Sequence, residues 1–512
     1  MDQPFLMPVD LRDWLAKDDI VYFVSDTINL LNLSAIVGRA HKTEKRGRRS
    51  YHPHLMIKLI VYGFVAKVYS SRNLETATYR RLDFRVLTGD QHPDHATIST
   101  FRKKHLGALS NLFTEVLRLC VEARLVAFET LSVDGTKIQA NASIRANRTE
   151  KSLEAERERE LEFFRQHAQA YMDKADAADA EDDAKEREAA KSKIGQLSPE
   201  LLDRKSRLEY IDRLLAAHRK EAAERDAGRE STASSDAQKS ENSRIKNKGS
   251  EASEAGSASA DGAEPKSGRA AKEIKVNTTD SDSRIMRDGA TKAYVQGYNA
   301  QIVVDGESQI IVATAVTQDA NDKKQLVPMA AIAIENLGRA PEQLLADSGY
   351  YSESQVTDKS LEDIELLVPP DRACTTEPVA ESSEPANPVA NREDNGEPVR
   401  RGGFIMYLAP MTFADRMRAK LKTPAGRKAY GKRSTTVEPV FGQIKSASGF
   451  DRFLLRGKEQ VGQEWSLVCM ASNLKKLYRA TAAKSGSSAA VTTPKVRQNN
   501  RNLREMTVRM AI

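Results

Sequence analysis

Two long stretches of this chain carry almost nothing from which a core could be built. Residues 229–280 are mainly Ser, Ala, Gly, Glu and Lys, and residues 371–403 are rich in Pro, Glu, Ser and Asn. Such segments bury too little apolar surface to offset the entropy of ordering them, so they read as a disordered linker and a disordered insertion. Any globular core must therefore be assembled from pieces far apart in sequence. The 512 residues leave room for two or three domains, and the low aromatic content of 6% agrees with substantial non-globular parts.

Residues 1–125 read as an all-helical N-terminal domain. Leu55, Met56, Leu59, Ile60, Phe64 and Val68 mark one amphipathic helix, and Leu74 to Leu87 mark another that ends at Gly89. The breaker-rich turn Gln91-His-Pro-Asp-His95 precedes a third helix that opens at Ala96 and carries Arg102, Lys103 and Lys104. Helix, short turn, then a helix with hydroxyl and basic residues in its first turns is the pattern of a DNA-reading helix-turn-helix, with Arg102, Lys103 and Lys104 as DNA contacts. An ordinary helical hairpin with a charged outer face would look the same.

The charge distribution points the same way. The net charge is +7, and the cations are clumped at Lys42 to Arg49, at Arg102 to Lys104, and along a basic flexible tail over residues 481–512. Separated basic clusters suit nucleic acid, although each cluster alone would equally be a solvated loop. The three cysteines have no pairing or metal-site spacing and fit a reducing cytoplasm, and the histidines near positions 52–105 suit no tetrahedral zinc site. Leu55 to Val68 is interrupted by Lys58 and Lys67 and is too short to span a bilayer, and the first residues do not form a secretory signal.

The character changes at Phe128 to Ala140, a β-rich run centred on Asp134. Asp134-Gly135 between two β-like runs suits a hairpin turn, and it suits equally a central strand that aims a carboxylate into a site. Residues 150–228 are Glu-, Lys-, Arg- and Ala-rich, a helical hairpin or coiled-coil arm inserted into what surrounds it. Tyr298 to Val304 and Gln309 to Val316 form a β-hairpin around Asp305-Gly306. A helix from Lys323 to Leu337, a strand from Gln343 to Asp347, a helix running through Leu361 and a strand from Ile364 to Val368 follow. Asp347 thus lies at the carboxyl end of a strand, where α/β folds place ligands, although an Asx-turn would use the same residue.

The stretch Tyr430 to Lys445 reads as a helix that begins near Thr435, with Tyr430 and Arg433 just before it. Val437, Val440, Phe441 and Ile444 give it an apolar stripe, and Glu438 and Lys445, seven apart, fall on one face. Thr435-x-x-Glu438 also has the form of a capping box, which would occupy the Glu438 carboxylate locally.

Val133-Asp-Gly-Thr-Lys137, Tyr298-Asn-Ala-Gln301, Ala346-Asp-Ser-Gly-Tyr350 and Val437 to Lys445, taken in order, resemble bacterial insertion-sequence DDE transposases with an N-terminal helical domain. Pro93 to Ser99, Phe453 to Gly457 and Trp465 to Leu477 share that resemblance, which covers roughly two thirds of the chain. It implies an α/β ribonuclease H-like catalytic core, a mixed sheet flanked by helices, made from residues 126–149, 281–370 and 404–480. It also implies Asp134, Asp347 and Glu438 as catalytic metal ligands. Two Mg²⁺ ions about 4 Å apart, with Mn²⁺ as a substitute, would clamp the attacking and leaving oxygens. The family's Tyr, Arg, Glu and Lys signature falls on Tyr430, Arg433, Glu438 and Lys445, which implies Tyr430, Arg433 and Lys445 as DNA contacts, with the Arg-to-Glu gap one residue longer than usual. The implied activity is cleavage at transposon ends and strand transfer into target DNA by a homo-oligomer at the bacterial nucleoid. The rival readings are a nuclease of the same fold without strand transfer and a catalytically degenerate DNA-binding protein. Three carboxylates that share two metals must lie within roughly 5–8 Å of one another, unless DNA binding rearranges them.

Overall fold

The computed structural model describes residues 10–40, 50–180, 204–223, 275–289, 291–371, 399–401, 404–406 and 412–486. The basic cluster at Lys42 to Arg49, most of the linker, most of the insertion and nearly all of the tail lie outside them. The chain divides into two compact units, one made of residues 1–141 and 285–512 and the other of 142–284.

In the first unit the helices are α1 (Ile20–Leu30), α2 (Ser34–Ala40), α3 (Pro53–Val65), α4 (Ser71–Arg80), α5 (Leu82–Thr88) and α6 (His95–Glu122). The helix expected over Leu74 to Leu87 is in fact two. The chain is extended at Arg81, and Gly89 closes α5 in the left-handed conformation that glycine takes without strain. Asp94 caps α6 by accepting from the Thr97 amide. The helix then runs for 28 residues and packs along the last helix of the unit.

A six-stranded sheet forms the centre. Its strands are β1 (Thr130–Gln139), β4 (Arg284–Arg287), β5 (Tyr294–Asp305), β6 (Ile311–Thr317), β7 (Gln343–Leu345) and β8 (Glu365–Leu367), in the order β4-β5-β1-β7-β8 with β6 also paired to β5. The pairs β1–β5 and β5–β6 are antiparallel, whereas β1–β7 and β7–β8 are parallel. The sheet is therefore mixed, with helices packed on it, an α/β arrangement. Asp134 is not in a turn: β1 runs unbroken through Asp134-Gly135 in register with β5. Pairing on both sides makes β1 central, so Leu131 and Val133 are fully buried.

Later elements include the helix Leu326–Leu337 and the short helices Glu353–Val356 and Lys359–Leu361, which replace the single helix expected through Leu361. Phe413–Lys422, Pro424–Gly442 and Lys458–Gly486 are also helical. The unit's last helix, Lys458–Gly486, is braced against the sheet by two polar clamps. Asn473 bonds both the amide and the carbonyl of Ile311, and the buried Trp465 indole donates to the Gln301 carbonyl at 3.0 Å.

The second unit contains the helix Glu150–Ala180, a second helix over 204–223, and the strand pair β2 (Asn147–Arg148) and β3 (Val276–Asn277). Its small apolar core is Leu153, Ile211, Leu214, Leu215 and Val276. Ion pairs such as Arg157–Asp212 and Arg204–Glu160 link its two helices.

Candidate active site

The helix that carries Glu438 begins earlier than its sequence suggests. Thr423 caps it by accepting from the Gly426 amide, and Pro424 opens it where a missing N–H costs nothing. Thr435 and Glu438 are therefore interior residues of Pro424–Gly442, and no capping box forms there. Tyr430 and Arg433 lie on this helix rather than before it. Val437, Val440, Phe441 and Ile444 are buried as the stripe predicts, while Glu438 is exposed. Pro439 interrupts the hydrogen-bond ladder, and the helix widens to a π-turn over Gln443–Ala447.

One guanidinium joins two distant segments. Arg433 Nη2 lies 3.0 Å from Asp134 Oδ2 and 3.9 Å from Asp347 Oδ2. The two carboxylate oxygens are thus within about 7 Å of each other, inside the span that a two-metal site allows. Asp134 comes from the middle of β1. Asp347 sits two residues beyond β7, and its Oδ1 accepts the Gly349 amide at 2.9 Å. The Asx-turn and the site position are therefore one geometry, in which one oxygen holds the turn and the other faces Arg433. The Asp347 side chain is 41% exposed and that of Asp134 16%, so the pair opens on the Asp347 side.

Burial raises the Asp134 pKa to about 6; Arg433 opposes that rise and the nearby Asp347 adds to it. Burial works against the charge of Arg433, but Asp134, Tyr430, Asp347 and Glu438 outweigh it and its pKa is raised. The Tyr430 phenol is held up by burial, with Arg433 pulling the other way. Asp134 and Asp347 form an under-neutralised oxygen pair gathered around a cation. Hard divalent ions select that donor chemistry.

Glu438 is exposed on the same helix as Arg433 and near enough to favour its charge. Among the described residues no group of three or more His, Cys, Asp or Glu is arranged to hold a metal ion. Lys445 also points inward, its ammonium donating to the Lys137 carbonyl at 2.7 Å and so tying the π-turn to β1. Of the basic trio on α6, Arg102 is turned into the protein, 7% exposed, and donates to the Tyr69 carbonyl at 2.9 Å. Expected as a DNA contact, it is instead an internal brace, and Lys103 and Lys104 are the exposed members.

Sequence reasoning missed a further acid near this pair, Asp322, whose charge adds to the rise of the Asp134 pKa. Asp322 Oδ1 accepts from Asn299 Nδ2 at 2.6 Å and Gln301 Nε2 at 2.7 Å, and lies 3.8 Å from Lys137 Nζ. The available signal was Asn299 and Gln301, two polar residues at strand period in an otherwise apolar run.

Two family models match the chain. One, described as Transposase domain (DUF772), covers residues 9–104. The other, described as Transposase DDE domain, covers residues 408–478 and so includes Tyr430, Arg433, Glu438 and Lys445 but neither Asp134 nor Asp347. No curated protein and no solved structure matches the chain. No helix among the described residues is long and apolar enough to cross a membrane.

Proposed function

We propose that this chain is an insertion-sequence DDE transposase, a reading its two family matches support, and that it uses Asp134, Asp347 and Glu438 to cut transposon ends and join them to target DNA. The observation that carries the residue assignment is the shared guanidinium: Asp134 and Asp347, over two hundred positions apart, meet on Arg433, three residues after Tyr430 and five before Glu438. The strand order, antiparallel through β6-β5-β1 and parallel through β1-β7-β8, supports reading the core as ribonuclease H-like.

DDE domains generally use divalent metal ions, and the oxygen-only pair of Asp134 and Asp347 fits such an ion, Mg²⁺ first and Mn²⁺ as a substitute. Asp134 and Asp347 would hold it, with Glu438 supplied from the exposed side of the Arg433 helix. Bound there, divalent ions offset the charge that builds on a phosphodiester under attack and make water or a 3′-hydroxyl a better nucleophile. The residues themselves do the rest. Arg433 keeps the two aspartates on one side of a common cation position. Asp134, with its pKa near 6, is largely ionised at neutral pH and available as a ligand. Lys103 and Lys104 are free to meet phosphates, as Lys445 would be on releasing the Lys137 carbonyl. We assign double-stranded DNA as the partner, a homo-oligomer as the acting form and the nucleoid as the place of action.

The test is cleavage and joining of the element's own end sequences with Mg²⁺. Asp134→Asn, Asp347→Asn and Glu438→Gln should each abolish both steps. Ends that are cut yet never enter target DNA would favour the nuclease reading. Wild-type cleavage by Asp134→Asn would refute the site.

A further inference from the structure

A buried polar layer lies behind β1. In the antiparallel register Gly135 faces Gln301 and Lys137 faces Asn299, so by strand alternation all four lie on the sheet face opposite Asp134. Gln301, Asn299 and Tyr350 are completely buried. The Tyr350 hydroxyl donates to Gln301 Oε1, which turns the other end of that amide, Nε2, onto Asp322. Asn299 Nδ2 reaches the same Asp322 oxygen, and Lys137 Nζ stands close to it. The layer also leaves its mark on β1. A Cβ at position 135 would collide with the Gln301 amide, so glycine there is the condition for Gln301 to lie across the strand.

The network connects what the site must hold apart at a fixed distance. Tyr350 ends the turn that begins at Asp347, and its amide donates to the Asp347 carbonyl at 3.1 Å. Lys137 is three residues after Asp134 on the same strand. Asp322 is the hub between them, approached by two amides and one ammonium. An apolar layer would fill this space without the desolvation that two fully buried amides, a buried phenol and a half-buried carboxylate incur. Asn299 Oδ1 is even left buried without a hydrogen bond. A polar layer retained at that cost has a geometric task.

Building on the site reading above, we infer that Asp322 is a positioning residue. From behind the sheet, through Gln301 and Tyr350 on one side and Lys137 on the other, it sets the spacing of Asp347 and Asp134 for a divalent cation. It touches neither DNA nor the cation.

The experiment is Mn²⁺ binding to the full chain without DNA, followed by calorimetry, with melting followed by the fluorescence of Trp465, whose indole rests on the Gln301 carbonyl. All affinities are measured below every variant's melting range. Asp322→Asn should weaken Mn²⁺ binding by about tenfold, the low end of what loss of a supporting partner costs a metal site. Tyr350→Phe, which changes no charge, should weaken it in the same direction by less. Both variants binding Mn²⁺ as wild type does, whatever their melting temperatures, would overturn the inference and leave the layer as scaffold. An effect of Asp322→Asn with none of Tyr350→Phe would overturn it too, since it would assign the loss to charge alone. Asp134→Asn separates the two levels: if that variant keeps wild-type affinity, the site reading itself has failed.

Discussion

Among the described residues of this unit, two largely buried arginines stand near acids, and the two arrangements have opposite characters. Asp134 and Asp347 share Arg433 beneath an opening. Glu464, 1% exposed, accepts the Leu454 and Leu455 amides in a sealed interior, with Arg102 close enough to affect its charge. Burial raises both carboxyls, Asp134 to about 6 and Glu464 to about 7. What differs is where the spare oxygens point. Glu464 spends its acceptors on backbone amides, which fixes the loop ahead of Lys458–Gly486. Asp134 gives Oδ1 to the Gly135 amide and offers Oδ2 to a cation that a second carboxylate also faces. Acid and arginine together therefore mark a site only when unspent oxygen is accessible.

The largest expected effect breaks that comparison at its functional side. Asp134→Asn should lower end cleavage by roughly 10²–10³-fold or more, the scale of losing a group that acts on the transition state. Glu464→Gln, which keeps one acceptor, should cleave at a rate close to wild type below its melting range. Equal losses in the two would erase the distinction.

Stability should run the other way. Asp134 binds its proton more tightly folded than unfolded, so its contribution is fully present at low pH and is lost as pH rises through about 6. In metal-free protein at pH 8, Asp134→Asn should therefore gain stability, on the order of 2–3 kcal/mol, and that gain should vanish near pH 4. Glu464 has the same sign with its window reaching about 7, so Glu464→Gln should flatten the loss of stability between pH 5 and 8. Thermal melts across that range check both.

How much of this was legible in the sequence follows from the range of each signal. The β5–β6 hairpin was, because Asp305-Gly306 and its flanking runs are local. Asp134-Gly135 carries the same local signal, yet it is a central strand, and only pairing with β5 and β7 decides between them. Thr435-x-x-Glu438 misled for the same reason: the true start depends on Thr423 and Pro424 eleven or more residues earlier. Arg102-Lys-Lys104 looks uniform in sequence, but helical rotation sends Arg102 inward toward Tyr69 and the two lysines outward. Asp322 was invisible because its partners, Lys137 on β1 and Asn299 and Gln301 on β5, are distant in sequence.

Gly135→Ala tests the layer between those extremes. Its methyl would strike a Gln301 amide held by Tyr350 and Asp322, so relief requires breaking one of those bonds. Overpacking of this kind costs about 1–3 kcal/mol, visible as a lower melting temperature. Gly107→Ala, inside α6 and with only ordinary contact from Gln463, should instead raise the melting temperature, by about 0.5–1 kcal/mol of helix stabilisation.

The smallest effects belong to two lysines of α6, where one basic run contains both an interior brace and surface charge. Lys103→Ala and Lys104→Ala should each leave folding unchanged, weaken DNA binding a few-fold at moderate salt, and reduce the slope of log affinity against log salt by about one. Arg102→Ala should do the reverse. It removes the guanidinium from the Tyr69 carbonyl and from the neighbourhood of Glu464, lowering stability by about 1–3 kcal/mol while the salt slope of the folded protein stays the same. Salt-titrated DNA binding alongside thermal melts separates the three residues. A reduced slope in Arg102→Ala would mean that its guanidinium leaves the interior to meet phosphate, and the sealed pairing would then have to be counted with the open one.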